Sequence, residues 1–245
     1  MSNTLVLPVK NLVVEWRFAP QLAIYSAMDK IGIHFAEDFP DWERSPLTLE
    51  LKNLNHWRRF FMSCRRCFFD VVNPSSAGLS TEIDKAYSLF DRTATELELR
   101  QIERIGFRQW FAFPCEDDFE LLVKRSISKF HPENQSLKDL LRAEFTDIGY
   151  VVDMKTADGW KYNLRAGPMK KEQWFSIVQH ERQIFKSQTD FDGYETKFPS
   201  QFFYVDIDCH SENVPRSDLR QLVDKMHRKS HEIAKDLSQF FESRS

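Results

Sequence analysis

The sequence predicts an α+β protein, an antiparallel sheet with helices packed on one face. Three observations carry that expectation. A strand ended by proline and followed by a helix occurs twice, at 11–19 with Pro20 and at 101–113 with Pro114. Residues 147–155 and 160–166 flank Asp158-Gly159, a strong hairpin signal. A strand-like run, Phe202 to His210, leads into a long amphipathic helix at the C-terminus.

The elements follow in order. Asn11 to Ala19 reads as a strand. Leu22, Tyr25, Met28 and Ile31 then recur at helical spacing, which predicts a helix over 20–33. Glu37 to Pro46 reads as an acidic loop, and Leu47, Leu49 and Leu51 alternate with polar residues as in a half-buried strand. Residues 56–73 read as two strands with a reversal near Ser63–Arg66. A helix is expected over 81–96, with Thr81 and Asp84 spaced as a capping box.

In the second half, Glu116, Asp117 and Asp118 suit the positive end of a helix whose stripe is Phe119, Leu122, Val123, Ile127 and Phe130. A short helix is expected at 136–143. Gly167-Pro168 is expected to end the hairpin's second strand, and Trp174 to Val178 suggest one more helix. A polar loop over 187–200 precedes the 201–209 strand. The last helix, 216–242, has an apolar face of Leu219, Leu222, Val223, Met226, Ile233, Leu237, Phe240 and Phe241.

Both halves, 1–98 and 99–245, thus read as one β-α-β-β-β-α unit repeated within one compact body. Their openings look alike, Trp16-Arg17-Phe18-Ala19-Pro20 against Trp110-Phe111-Ala112-Phe113-Pro114.

Composition bounds the function. The chain has 245 residues, 42% hydrophobic and 29% charged, as in ordinary globular proteins. Its 22 Phe and 6 Trp supply a large core. The net charge of -3 shows no global basic excess for nucleic acid. The 7 Gly include no GxG arrangement, so neither dinucleotide nor P-loop fingerprints are supported. No GxSxG elbow or HExxH helix occurs. Met1 to Val9 lack the charged and apolar regions of a signal peptide, and no apolar run spans a bilayer. Four Cys do not make a disulfide framework, so a reducing, cytoplasmic setting is expected.

Several constellations could carry chemistry. Asp206, Asp208 and His210 alternate along a strand and so share one face. They could hold Mg²⁺ or Mn²⁺, as in a metal-dependent phosphodiesterase or nuclease, or could pair with arginines on neighbouring strands. Arg58, Arg59, Arg65 and Arg66 interleave with Trp57, Phe60, Phe61, Phe68 and Phe69. Such a pattern could hold single-stranded nucleic acid, or the aromatics could be core and the arginines paired with acids. Asp224, His227 and His231 align on one flank of the last helix, as zinc ligands or as cover for the core. Cys64-Arg65-Arg66-Cys67 is a lone CxxC in strand-like sequence and reads as buried small hydrophobes. Glu195-Thr196-Lys197 matches half of a nuclease signature.

Four segments together resemble a sporadically distributed bacterial family of conserved hypothetical proteins of similar length. They are Asn11 to Phe18, Ile102 to Arg108, Val205 to Asp208, and the His-bearing last helix. The resemblance implies a bacterial, cytoplasmic protein from mobile or defence-associated gene clusters, and it carries no known reaction. Binding is therefore expected over catalysis. The expected role is an accessory or sensor protein contacting a protein partner encoded by an adjacent gene, a nucleic acid or a ligand, with homodimerisation compatible.

Overall fold

The computed structural model describes residues 9–72, 74, 78–131, 139, 140, 142, 145–156, 159–177 and 198–242. The first half runs β1 (Val9–Arg17), α1 (Ile24–His34), β2 (Asp41–Arg44), β3 (Thr48–Asn53), β4 (Arg58–Ser63), β5 (Arg66–Val72) and α2 (Leu79–Glu96). The second runs β6 (Gln101–Pro114), α3 (Phe119–Phe130), β7 (Tyr150–Lys155), β8 (Lys161–Lys170), β9 (Gln201–Pro215) and α4 (Leu219–Glu242). A further helical stretch covers 171–177. No helix among the described residues is long and apolar enough to cross a membrane.

All nine strands form one antiparallel sheet in the order β2-β3-β4-β5-β1-β6-β9-β8-β7. From the central β1–β6 seam the numbering descends outward on both sides, as a repeated unit requires. The α+β expectation is met, with one strand more in the first half than in the second.

Alternation divides the sheet into two faces. Leu12, Val14 and Trp16 of β1 stand with Phe107 and Phe111 of β6 and with Phe203, Val205 and Ile207 of β9 under the helices. The helix α4 lies across β6 and β9. Its buried line includes Ser230, Ala234 and Ser238. Small side chains there let the helix approach closely, and Ser230 Oγ lies 3.2 Å from Cys209 Sγ. Of the apolar stripe read from the sequence, Leu219, Val223, Met226 and Phe241 lie on this line and the rest flank it. Leu222, Ile233 and Leu237 pack at the margin of the core, and Phe240 is exposed.

Four local expectations are corrected. Residues 37–46 are not all loop, because Asp41–Arg44 forms the edge strand β2 against β3. All four of its residues are exposed, so no burial alternation marks it. The capping box at Thr81 does not form. The helix starts two residues earlier, after Gly78, with no side-chain cap, and Asp84 pairs with Arg220 of α4 instead. Gly167-Pro168 does not end β8, which runs on to Lys170. Pairing with β7 has stopped at Ala166, so Pro168 removes no ladder bond to β7. Gly167 is required there, since a Cβ would lie 2.7 Å from the Ile148 carbonyl oxygen.

The fourth correction concerns the twin openings. Trp16 faces the helices and stacks on Phe90, with ring centroids 4.8 Å apart. Trp110 lies opposite Asp206 and faces the other way. Aligning the two tryptophans by sequence is thus out of step with the sheet by one residue. The helix expected at 136–143 and the loop at 187–200 fall largely outside the described residues.

Candidate binding face

The sheet face away from the helices is built of charged and aromatic side chains. In sheet order it carries Lys52 (β3), Arg59 and Phe61 (β4), Arg66, Phe68 and Asp70 (β5), Glu15 and Arg17 (β1), Arg104, Arg108 and Trp110 (β6), Tyr204, Asp206, Asp208 and His210 (β9), and Asn163 and Arg165 (β8). The three central strands β1, β6 and β9 hold three of the four segments behind the family resemblance.

On this face carboxylates lie below and guanidinium groups above. Asp206 is 1% exposed and accepts two bonds from Arg108, Nε to Oδ1 at 2.9 Å and Nη2 to Oδ2 at 2.7 Å. Burial works against the Arg108 charge, yet the Asp206 carboxylate outweighs it and raises the guanidinium pKa. Arg108 also lies over the Trp110 ring at 4.9 Å. In the first half, Arg59 donates to Asp70 at 3.0 Å and stacks over Phe68 at 4.9 Å. Lys52 reaches Glu43 at 3.1 Å and Glu50 at 3.4 Å. Arg66 lies over Phe61 and Phe68, with Glu15 at 3.6 Å.

At the seam a side chain is missing. Gly106 has Arg104 and Arg108 along its own strand, and Glu15 and His210 across it. A Cβ there would meet nothing nearer than the Glu15 Cβ at 3.8 Å. The missing side chain leaves a gap at the centre of the face, where the buried Gly106 is ringed by two cations, an acid and an imidazole. The Arg104 Nε is buried without a hydrogen-bond partner among the described residues. Burial raises the Asp208 pKa against the pull of Arg108 and Arg104, and burial with Arg104 lowers that of His210.

One end of this face is covered by a small second core. Trp174, from the 171–177 stretch, packs with Phe198, Phe202, Val72, Ala112 and Trp110. Trp110 and Trp174 meet edge-on at 5.0 Å. Beside it opens a cleft of about 640 Å³ whose lining includes Tyr150, Arg165, Met169, Gln173, Ile177 and Tyr204. Burial, then the neighbouring Asp206, raises the Tyr204 hydroxyl pKa far above its ordinary value, so it remains a donor at any physiological pH.

The residues singled out from sequence are distributed as follows. Asp206, Asp208 and His210 do share a face, but Asp206 is tied to Arg108, and no cluster of three metal-ligating side chains occurs among the described residues. The four arginines do not form one patch. Arg58 points under α2, where it binds Glu82 with bonds of 2.7 and 2.5 Å. Arg59 and Arg66 face the open side, and Arg65 sits at the exposed turn between β4 and β5. His227 and His231 pack between α4 and β6, against Phe107 at 5.9 Å and Phe111 at 5.5 Å. Asp224 is turned to Arg220, 3.7 Å away. Cys67 is buried under the helices, and burial raises its pKa well above the ordinary value. Glu195-Thr196-Lys197 lies outside the described residues.

Arg108, Trp110, Arg165, Tyr204 and Gly106 are the part of the face that sequence reasoning missed. The available signal was the alternation of Arg104, Gly106, Arg108 and Trp110 along one strand.

No protein-family model matches the chain, and no curated protein is significantly similar to it. The functional reading therefore rests on this geometry.

Proposed function

We propose that the chain is a binding protein without a catalytic role, and that the open sheet face around Gly106 takes up a protein partner. In this reading it is an accessory or sensor component encoded beside an effector. The observation that carries it is the prepaired face. Arg59, Arg66 and Arg108 are each paired with an acid, so a partner meets an ordered, ion-paired surface with little side-chain entropy left to lose there.

Ion pairing favours protein over nucleic acid. Phosphates would have to compete with Asp70, Asp206 and Glu15 for Arg59, Arg108 and Arg66. The alternative, a metal-dependent phosphodiesterase or nuclease using Asp206 and Asp208, needs both carboxylates directed at one ion. The Arg108 pair with Asp206 and the burial of Asp208 weigh against it.

The test is co-expression with the products of the flanking genes, followed by size-exclusion chromatography. A co-eluting complex lost in Gly106→Val and in Arg108→Glu supports the reading. A complex unaffected by both variants sinks it. So does metal-dependent cleavage of a model phosphodiester that disappears in Asp206→Ala.

A further inference from the structure

The two edges of the sheet differ in a way that points to self-association. At one edge lies β2, Asp41-Trp42-Glu43-Arg44, and at the other β7, Tyr150-Val151-Val152-Asp153-Met154-Lys155. An unpaired edge is a template for another strand, and proteins guard it with charge. A two-fold axis perpendicular to the sheet pairs a strand with its own copy and keeps each face continuous. Only residues of the same face then stand opposite each other.

For β2, every such register opposes like charges. Centring on Asp41 sets Asp41 against itself, and centring on Trp42 sets Asp41 against Glu43. Centring on Glu43 or on Arg44 sets that residue against itself. For β7, centring on Val152 sets Val152 against Val152, Tyr150 against Met154, and Val151 against Asp153. No like charges meet, and Lys155 falls opposite Gly149, which has no side chain to clash.

The β7 edge is also apolar. Val151 is 66% exposed, Val152 44% and Met154 38%. Above it, between β7, β8 and α4, runs a groove of about 510 Å³ whose lining includes Met154, Leu164, Ile233, Leu237 and Phe240. Val152 and Met154 face this side, since they stand opposite Leu164 and Tyr162 in the ladder. A second copy placed by the Val152 register lays its Tyr150 beside Met154 and continues the groove's floor across the axis.

We propose that the protein is a two-fold homodimer formed by antiparallel pairing of β7 with β7, giving one continuous eighteen-stranded sheet. The dimer places two copies of the open face side by side, and it stands independently of what that face binds.

Sedimentation equilibrium of the full chain up to tens of micromolar should give twice the chain mass. Val152→Lys sets two ammonium groups against each other at the axis and should weaken association roughly tenfold or more. Trp42→Lys, at the other edge, should leave the dimer unchanged. Val152→Cys should form a covalent dimer on mild oxidation, beyond any seen with the wild-type chain. This second readout stands even if the lysine variant folds poorly by circular dichroism. A wild-type chain that stays monomeric overturns the proposal, and so does a dimer broken by Trp42→Lys. A Val152→Cys chain that cross-links no more than wild type does the same.

Discussion

The two halves share one topology but use the open face differently. Both place their first strand at the seam and their last strand beside it. In the first half Arg59, Arg66, Phe61 and Phe68 are directed outward, and an added layer reaches the face at the Val72 end of β5. In the second half a further layer, Trp174 and Phe198, covers one end of the face and leaves a cleft beside it. The two tryptophans mark the difference. Trp16 belongs to the main core, whereas Trp110 anchors the added layer. Repetition has supplied the scaffold, and the asymmetry lies where binding is proposed.

The largest expected effect tests that contrast directly. Trp16→Ala should cost about 3–5 kcal/mol in urea unfolding, because the main core cannot close over the cavity. Trp110→Ala should cost only about 2 kcal/mol, since the small layer can collapse. Equal losses would break the distinction between core and added layer.

The ion pairs come next. Arg108→Met leaves Asp206 buried without its partner and should cost about 2–4 kcal/mol, while the double variant with Asp206→Leu should regain much of it. Arg59→Met should cost less, because Arg59 gives Asp70 one bond where Arg108 gives Asp206 two. A larger loss from Arg59→Met would reverse the ranking of the halves.

The helix layers differ in titration. Burial, then His231 and Arg228, lowers the His227 pKa to about 4. The unfolded chain takes up this proton near the ordinary value of 6.5 and the folded chain only near 4. Stability is therefore complete above pH 6.5, falls as the pH drops from 6.5 to about 4, and levels off below that. The loss should be on the order of 2 kcal/mol, and His227→Leu should flatten it. A pH-stability curve unchanged by that variant would place the titrating group elsewhere.

The smallest expected change is a gain. Gly106→Val should raise stability by about 0.5–1 kcal/mol, since a valine suits a strand better and its Cβ meets nothing nearer than 3.8 Å. The same variant should lose the partner. A destabilised Gly106→Val would mean that the surrounding side chains leave no room there beyond a Cβ.

Much of the fold was legible from periodicity alone. The alternation of β9 placed Asp206, Asp208 and His210 on one face, and acids before Phe119 marked a real cap, with Asp118 accepting from the Leu121 amide at 2.8 Å. The ends of the α4 packing line were legible as Leu219, Val223, Met226 and Phe241, but its middle was not, because Ser230, Ala234 and Ser238 are buried for their small size and not for hydrophobicity. β8 was cut short at Gly167-Pro168 because the sequence does not say where a neighbouring strand stops. The site was only half visible. Asp206 stood out as an acid in an apolar strand. Its partner, Arg108, lies 98 residues away, and only strand pairing brings the two together.

The seam between β1 and β6 has one more consequence. Neither half covers that edge by itself, and the buried side chains of each lean on the other across it. Severing the chain between Glu98 and Leu99 should therefore give two pieces that are sticky alone and complement one another when produced together. Bringing them back into register would restore the ring around Gly106, with Glu15 from one piece and Arg104, Arg108 and His210 from the other.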